Sequence, residues 1–306
     1  MIDCHIHISL DGIDFKKARV LAKTQEIEKI IRKRLKEYKK MGIYVLRDGG
    51  DDLEISNIAR KIAREENIIF KSPIKAIYKK GKYGKFLGAP VRDLDDFKNL
   101  FYYLKSKDLD HLKIVLSGLV DFNKYTDDIE VFFNKKELKN IVDRAKDNGI
   151  SVMAHVNSSY GIDMAIECGV GTVEHGYFIK EKEIYKMAEK DIIWIPTLSP
   201  LGNLIQGDNK FGNCYSTIDR VYKEHLESVG IAYGMGVKIA LGSDSGCYKV
   251  RHVQGTFDEV NHLMKSGIKK EDVINMAIEN GIKVCNLTND EIMCFNKNKR
   301  RCLNDR

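Results

Sequence analysis

The chain has 306 residues, of which 43% are hydrophobic and 31% are charged, a balance that suits one large soluble domain or two ordinary ones. No apolar run approaches the ~18 residues that a membrane helix needs. Asp3, His5 and His7 interrupt the first apolar residues, and no basic region precedes them, so the pattern is not that of a signal peptide. We therefore expect a cytoplasmic protein.

The formal net charge of +7 reflects a modest excess of lysine and arginine. Much of it lies in segments 29–40 and 297–301, where Tyr38 is the one interleaved aromatic residue. Nucleic-acid surfaces combine basic and aromatic residues, so we interpret these segments as a solvated helix face and a solvated tail. The seven cysteines form no CxxC pair and are expected to be free thiols.

Short β-branched runs alternate with long amphipathic segments along the chain. The predicted strands cover 2–8, 44–48, 68–74, 111–117, 151–156, 172–176, 192–198 and 238–244. The predicted helices cover 16–41, 53–66, 93–107, 135–148, 159–168, 180–190, 216–235, 253–266 and 270–280. Eight strands that alternate with helices predict an α/β protein with a (β/α)8 barrel, the TIM barrel. We assign residues 1–286 to this barrel and 287–306 to a basic, polar C-terminal tail that frays.

Two of the predicted connections are long: 75–91 after the third strand and 199–217 after the seventh. Both carry basic and aromatic residues, namely Tyr78, Lys79, Lys80, Lys82, Tyr83, Lys210 and Phe211. We interpret the connections as lids that favour an anionic group such as a carboxylate, with ordinary solvent exposure as the alternative. Arg251 and His252, beyond the last strand, are candidates for the same pocket.

Ligand-type side chains recur where predicted strands end. His5 and His7 lie two residues apart on the first strand, so both point to the same side of it. The later candidates are one lysine, two histidines and one aspartate: Lys113, His155, His175 and Asp244. Active residues of a barrel come from the C-terminal ends of its strands, so we expect these side chains to meet in one site. The remaining histidines are expected to have structural or surface roles: His111, His225, His262 and, unless it joins the pocket, His252.

Six motifs, in this order, resemble those of the amidohydrolase superfamily: DCHIH, LKIVLSG, SVMAHV, AIECGVGTVEHG, IPTLSP and ALGSDSG. This superfamily comprises metal-dependent hydrolases on a (β/α)8 barrel, and the likeness is in particular to imidazolonepropionase-like proteins and Xaa-Pro dipeptidases. The resemblance implies two divalent metal ions. The implied ligands of the more buried ion are His5, His7 and Asp244, and those of the second ion are His155 and His175. Lys113 would bridge both ions as a carbamate.

Imidazole and carboxylate ligands suit Zn²⁺, with Mn²⁺ or Fe²⁺ as alternatives. The resemblance implies hydrolysis of a C–N bond by a metal-bridging hydroxide, with Asp244 as general base and then general acid. A phosphoester or lactone hydrolase and a deaminase are alternatives on the same barrel, although deaminase-like relatives generally lack the bridging lysine. The alternative from another class is a non-catalytic barrel that binds metal or nucleic acid.

We expect a small-molecule substrate, with a carboxylate-bearing one as a candidate, and neither nucleic acid nor a membrane as partner; homo-oligomerisation stays open. Most relatives carry a small β-sandwich beside the barrel. The sequence predicts that it is absent and that segment 9–40 or a partner subunit covers that flank. Many peptidase-like relatives place a tyrosine two residues after the histidine of the fifth strand. This chain has Asn157 there and Tyr160 later, which disfavours dipeptidase specificity.

Overall fold

The computed structural model describes residues 1–206 and 212–304, with side chains up to residue 299. Parallel strands, whose residues are nearly all buried, form the centre of the structure. Three of them form one sheet in the order β1 (Ile2–Ile6), β2 (Val45–Asp48) and β3 (Ile69–Lys71). The second sheet contains β4 (Ala76–Lys79), β5 (Gly88–Val91), β6 (Leu112–Val115), β7 (Val152–Val156), β8 (Thr172–His175) and β9 (Ile193–Ile195). Its order is β5-β4-β6-β7-β8-β9.

Residues 238–245 join β9 to β1 and close the barrel, although they form only isolated bridges. The backbone N–H of Cys4 donates to the carbonyl of Leu241 at 2.8 Å, and that of Asp244 donates to the carbonyl of His5 at 2.7 Å. On the other side, the continuous segment 69–79 pairs first with β2 and then with β6. The predicted α/β barrel is confirmed.

The third barrel strand differs from its prediction. A single strand was expected over 68–74, but β3 ends at Lys71, because Pro73 cannot donate to a ladder and Ile74 has a left-handed φ of +64°. The segment 75–91 was predicted to be a loop. It contains β4 and the additional strand β5, which pair in parallel, and only the turn between them (80–87) is irregular.

Helices surround the strands. They are α1 (Phe15–Leu21), α2 (Glu26–Lys40), α3 (Ile55–Glu65), α4 (Leu94–Lys105), α5 (Lys135–Asp147), α6 (Ser159–Cys168), α7 (Glu181–Lys190), α8 (Ser199–Gln206), α9 (Tyr215–Gly234), α10 (Gln254–Lys265), α11 (Lys270–Val284) and α12 (Asn289–Asn304). The single helix predicted over 16–41 is divided by a turn after Leu21, whose carbonyl accepts from the Thr24 N–H at 3.0 Å and from the Thr24 hydroxyl at 2.8 Å. The predicted connection 199–217 begins instead with α8.

No β-sandwich occurs within residues 1–206 and 212–304. Ile31, Leu35 and Tyr38 of α2 are buried in one cluster with Ile6 and Ile8 at the end of β1. Segment 9–40 therefore covers this side of the barrel within the chain. In the same described ranges, no helix combines the length and hydropathy needed to cross a bilayer.

The final helix contradicts the expectation that the chain frays from 287. The helix α12 is amphipathic, and its Phe295 is completely buried in a cluster with Ile2 and Val45, which are the first residues of β1 and β2. An ion pair of 2.6 Å between Lys71 and Glu291 fixes the same helix to β3. This helix therefore packs against the end of the barrel opposite the strand C-termini; the domain boundary at 286 stays a prediction.

Candidate metal centre

Four strands, β1, β6, β7 and β8, and the closing segment 238–245 bring the six predicted residues together around one cavity of about 280 Å³. The cavity is lined by His5, His7, Lys113, His155, His175 and Asp244. All six side chains are at least nine-tenths buried. The six side chains therefore meet at one cavity, while their roles stay proposals.

Three of these residues form a compact group of potential metal ligands. His5, His7 and Asp244 each offer one ligand atom, and these atoms lie within 4.8 Å of one another. The Oδ1 atom of Asp244 is 3.2 Å from Nε2 of His7 and 3.6 Å from Nε2 of His5. The i, i+2 spacing on β1 thus places both imidazoles beside the carboxylate that follows the last strand.

The other two histidines lie beside this group. The ring centroids of His155 and His175 are 4.7 Å apart, and those of His5 and His175 are 5.0 Å apart. Lys113 projects into the same cavity from β6 and is 1% exposed. Burial, reinforced by the charge of Arg47, lowers the pKa of Lys113 to about 8. A neutral amine is thus accessible near neutral pH, which is the form that reacts with carbon dioxide to give a carbamate.

Unusual backbone conformations surround the site. His175, Thr197 and Asp244 have left-handed φ values of +62°, +47° and +58°. Such conformations cost about 1–3 kcal/mol each for non-glycine residues and persist where the surroundings enforce them. Here Nδ1 of His175 is hydrogen-bonded to Oγ1 of Thr197 at 2.6 Å, which fixes the ring. The strained residues are therefore two of the proposed ligands, His175 and Asp244, and Thr197, which is hydrogen-bonded to His175.

Buried charges beneath the site were not predicted from the sequence. Glu174 is fully buried, and its Oε2 atom accepts from Nδ1 of His5 at 2.6 Å. Its other oxygen is 3.4 Å from the buried guanidinium of Arg47 and accepts from the Thr172 hydroxyl. Arg47 also donates to Thr172 at 2.9 Å. A carboxylate only accepts, so Glu174 fixes the proton of His5 on Nδ1 and leaves the Nε2 lone pair free.

Asp3, a second residue that the sequence analysis missed, holds the last strand in place. Its carboxylate accepts from Ser243 Oγ and Thr256 Oγ1, both at 2.6 Å, and from Ser243 N at 3.0 Å. Burial raises the pKa of Asp3, and these hydrogen bonds oppose that rise. Its position two residues before His5 was the available signal, because alternation places both side chains on the same face of β1.

The electrostatics favour neutral imidazoles. Burial lowers the pKa values of His5, His155 and His175, that of His155 to about 3, and the charge of Lys113 lowers all three further. A neutral imidazole has one nitrogen lone pair available for a metal ion. At neutral pH these three side chains are therefore in the form that binds metal.

Unpartnered buried atoms test whether the site fits divalent cations. Within the described residues, His5 Nε2, His155 Nε2 and Asp244 Oδ1 are buried and have no hydrogen-bond partner. Buried polar atoms normally have a hydrogen-bond partner, so several unpaired ones that point to the same space indicate a position for an ion or a water molecule. Imidazole nitrogens beside a carboxylate oxygen are the donor set of Zn²⁺ and similar transition metals. The residues therefore fit such ions.

The remaining histidines have structural roles, as predicted. Hydrogen bonds join His111 to the Asp48 carbonyl, His225 to the Pro196 carbonyl and His262 to the Tyr222 hydroxyl. His252 is bonded to Tyr38 and to the Leu10 carbonyl, and it does not line the cavity. The candidate role of His252 in the pocket was therefore wrong.

The predicted lids contribute aromatic and apolar side chains to the cavity. Tyr83 lines it, whereas Lys79 and Lys82 form ion pairs of 2.5 Å with Glu137 and Glu130 outside it. Tyr78, Lys80 and Arg251 are also absent from the lining. Lys210 and Phe211 lie outside the described residues.

Comparison with known proteins agrees with this geometry. The sequence pattern of the amidohydrolase family matches residues 1–290. Ochratoxinase of Aspergillus niger is 31% identical over 115 residues, which cover 37% of this chain but only 24% of that protein. The crystal structure of A. niger ochratoxinase superimposes with a TM-score of 0.75 and 20% identity over 93% of this chain and 71% of that chain. A Xaa-Pro dipeptidase with bound methionine in its active site gives a TM-score of 0.74 and 20% identity over 94% and 75% of the two chains.

Proposed function

Because the chain belongs to the amidohydrolase family, we propose that it is a metal-dependent hydrolase that cleaves a C–N bond of the amide or peptide-like type. The observation that carries this proposal is the convergence of His5, His7 and Asp244, whose ligand atoms lie within 4.8 Å of one another. The proposed substrate is a small molecule, because the cavity of about 280 Å³ is at the lower end of ligand pockets.

Two divalent ions, with Zn²⁺ as the first candidate and Mn²⁺ or Fe²⁺ as alternatives, would occupy the centre. His5, His7 and Asp244 would hold one ion, and His155 and His175 the other. Lys113, as a carbamate, would contact both, and its lowered pKa supports this assignment. When bound, the ions would supply a water acidic enough to act as a nucleophile near neutral pH and would polarise the scissile carbonyl.

The residues of the chain would then handle the protons and the orientation. Asp244 is the proposed general base that accepts a proton from the nucleophile and returns it to the leaving amine. Its left-handed backbone and the hydrogen bond from its N–H to the His5 carbonyl support a fixed position. Glu174 and Thr197 orient the rings of His5 and His175 through bonds of 2.6 Å each.

The lining favours an amide over a phosphoester. Among the described lining residues, Lys113 is the one lysine and no arginine occurs, so little positive charge would remain for a phosphate once Lys113 is a carbamate. A carbonyl compound needs no such charge apart from the metal ions. This contrast makes a phosphoester hydrolase the weaker alternative.

The cytoplasm is the proposed compartment, and the six free cysteines of the described side chains support it. We also propose that neither nucleic acid nor a membrane is a partner. In the basic segment 29–40, Arg32 is paired with Glu65 and Glu66 at 2.6 and 3.0 Å, which reduces the charge available for phosphates.

The test is a screen with the zinc-loaded protein. N-acyl amino acids, neutral N-acyl amides, dipeptides, phosphoesters and lactones would be offered, before and after chelation and after return of the metal. We expect hydrolysis of at least one amide, its loss on chelation and its recovery with metal. Turnover confined to phosphoesters or lactones, or activity that survives chelation, would refute the proposed function.

A further inference from the structure

Apart from the six proposed ligand residues, the described part of the cavity lining is mainly apolar. Leucines from three different segments face it: Leu87 before β5, Leu119 after β6, and Leu201 and Leu204 of α8. Leu119 is 55% exposed although it borders the cavity, so the apolar surface continues to the mouth. We call Leu87, Leu119, Leu201 and Leu204, together with Val120 and Phe122, the apolar wall.

No cation of the described residues faces this wall. Lys79 and Lys82 are paired with glutamates elsewhere, and Lys113 belongs to the proposed metal centre. Lys249 has its Nζ atom 5.7 Å from the ring centroid of Tyr248, which lines the cavity, but Lys249 itself does not line it. A carboxylate placed against the wall would lose its hydration with no cation beside it, which is costly.

We propose that the substrate presents a compact, uncharged alkyl or aryl group to the apolar wall, so that the enzyme prefers neutral apolar amides over carboxylate-bearing ones. This inference rests on the proposed function and specifies its substrate class. Burial of an apolar group against leucines is favourable, whereas the same site rejects an unpaired charge. The products found in the screen will show whether this group belongs to the acyl side or to the amine side of the amide.

The experiment uses two matched ligands and the zinc-loaded protein. Hexanohydroxamic acid and adipic monohydroxamic acid share the metal-binding head and the chain length, and they differ in a terminal methyl group against a carboxylate. At pH 7.5, calorimetry should give a dissociation constant at least about tenfold lower for the methyl-ended ligand, because no cation lies beside the wall to compensate a carboxylate.

Variants then assign the preference to the wall. Leu119→Lys is suitable because Leu119 is half exposed, so a lysine there should not disturb folding. It should reduce the preference for the methyl-ended ligand by about threefold or more, since the ammonium can reach a carboxylate. The same charge placed on α12, at the opposite end of the barrel, by Met293→Lys, at a residue that is 63% exposed, should leave both dissociation constants unchanged. Lys249→Ala should also leave them unchanged.

The outcomes separate the two claims. If zinc is bound but the carboxylate-ended ligand binds as tightly or more tightly, or neither ligand binds, the inference is overturned. Weaker binding of that ligand to Lys249→Ala would overturn it as well and would identify the mouth as an anion site. If the protein takes up no zinc, the proposed function is wrong, and the inference falls with it.

Discussion

Glu174→Gln tests whether the buried glutamate under the site positions a metal ligand. In the structure, Glu174 accepts from Nδ1 of His5 at 2.6 Å, so it sets which nitrogen of His5 faces the cavity. A glutamine can donate from its NH₂ group to Nδ1, which moves the proton of His5 to Nε2, the nitrogen that faces the cavity. In addition, a neutral amide makes the imidazole a weaker metal ligand than a carboxylate does. Metal affinity should therefore fall by about 10–100-fold, the usual cost of losing such a partner.

The same change should also lower the free energy of unfolding. Glu174 neutralises Arg47, which is 1% exposed, and removing one partner of a buried ion pair costs about 3–5 kcal/mol. We expect the lower end of this range, because Arg47 keeps its hydrogen bonds to Thr172 and to the Cys4 carbonyl. Urea unfolding of the metal-free protein measures this loss, and chelator competition measures the metal affinity.

A matched control is Glu183→Gln. Glu183 is also fully buried, but it accepts from the Ser159 hydroxyl at 3.0 Å and from the Lys180 N–H at 2.9 Å, away from the metal centre. This variant should lose stability and keep the metal affinity of the wild type. Wild-type affinity in Glu174→Gln, or an equal loss in Glu183→Gln, would refute the positioning role.

Three further changes test other parts of the account. Asp244→Asn at confirmed metal content should lower kcat by about 10²–10⁴-fold, because the amide cannot accept a proton, and turnover within a few-fold of wild type would exclude Asp244 as the base. Phe295→Ala should cost about 3–5 kcal/mol of unfolding free energy, against little for the 63% exposed Met293 of the same helix, and equal small effects would favour a frayed tail. Burial raises the pKa of Glu259 from 4.5 to about 8, so between these pH values the unfolded chain releases a proton that the folded chain keeps. The wild type should then lose up to about 1.4 kcal/mol per pH unit relative to Glu259→Gln, and parallel stability curves from pH 5 to 8 would contradict this linkage.

Local periodicity was sufficient to predict the barrel and the six converging side chains. The i, i+2 spacing of His5 and His7 fixes their common side, and strand ends of a barrel meet at one edge. The same rule explains why Glu174 was missed. Alternation puts Glu174 and His175 on opposite faces of β8, but the left-handed φ of His175 turns the chain so that both reach the interior.

Tertiary contacts explain the other differences. The break at Thr24 is a turn in which both the N–H and the hydroxyl of Thr24 donate to the Leu21 carbonyl. The strand β4 exists because it pairs with β5 and β6, and β5 because it pairs with β4. Phe295 lies in a segment whose composition is polar and basic, and its burial depends on the ends of β1 and β2. None of these contacts leaves a periodic pattern in the sequence, so they could not be predicted from it.

The central claim is that the side chains at the strand ends form a centre for two divalent metal ions. Elemental analysis of the zinc-loaded protein after removal of free metal tests it most directly, together with His5→Ala and His155→Ala variants whose folding is verified by circular dichroism. The account predicts two zinc ions per chain in the wild type and the loss of bound zinc in each variant. A folded wild-type protein without bound zinc, or variants that keep the full zinc content, would contradict it.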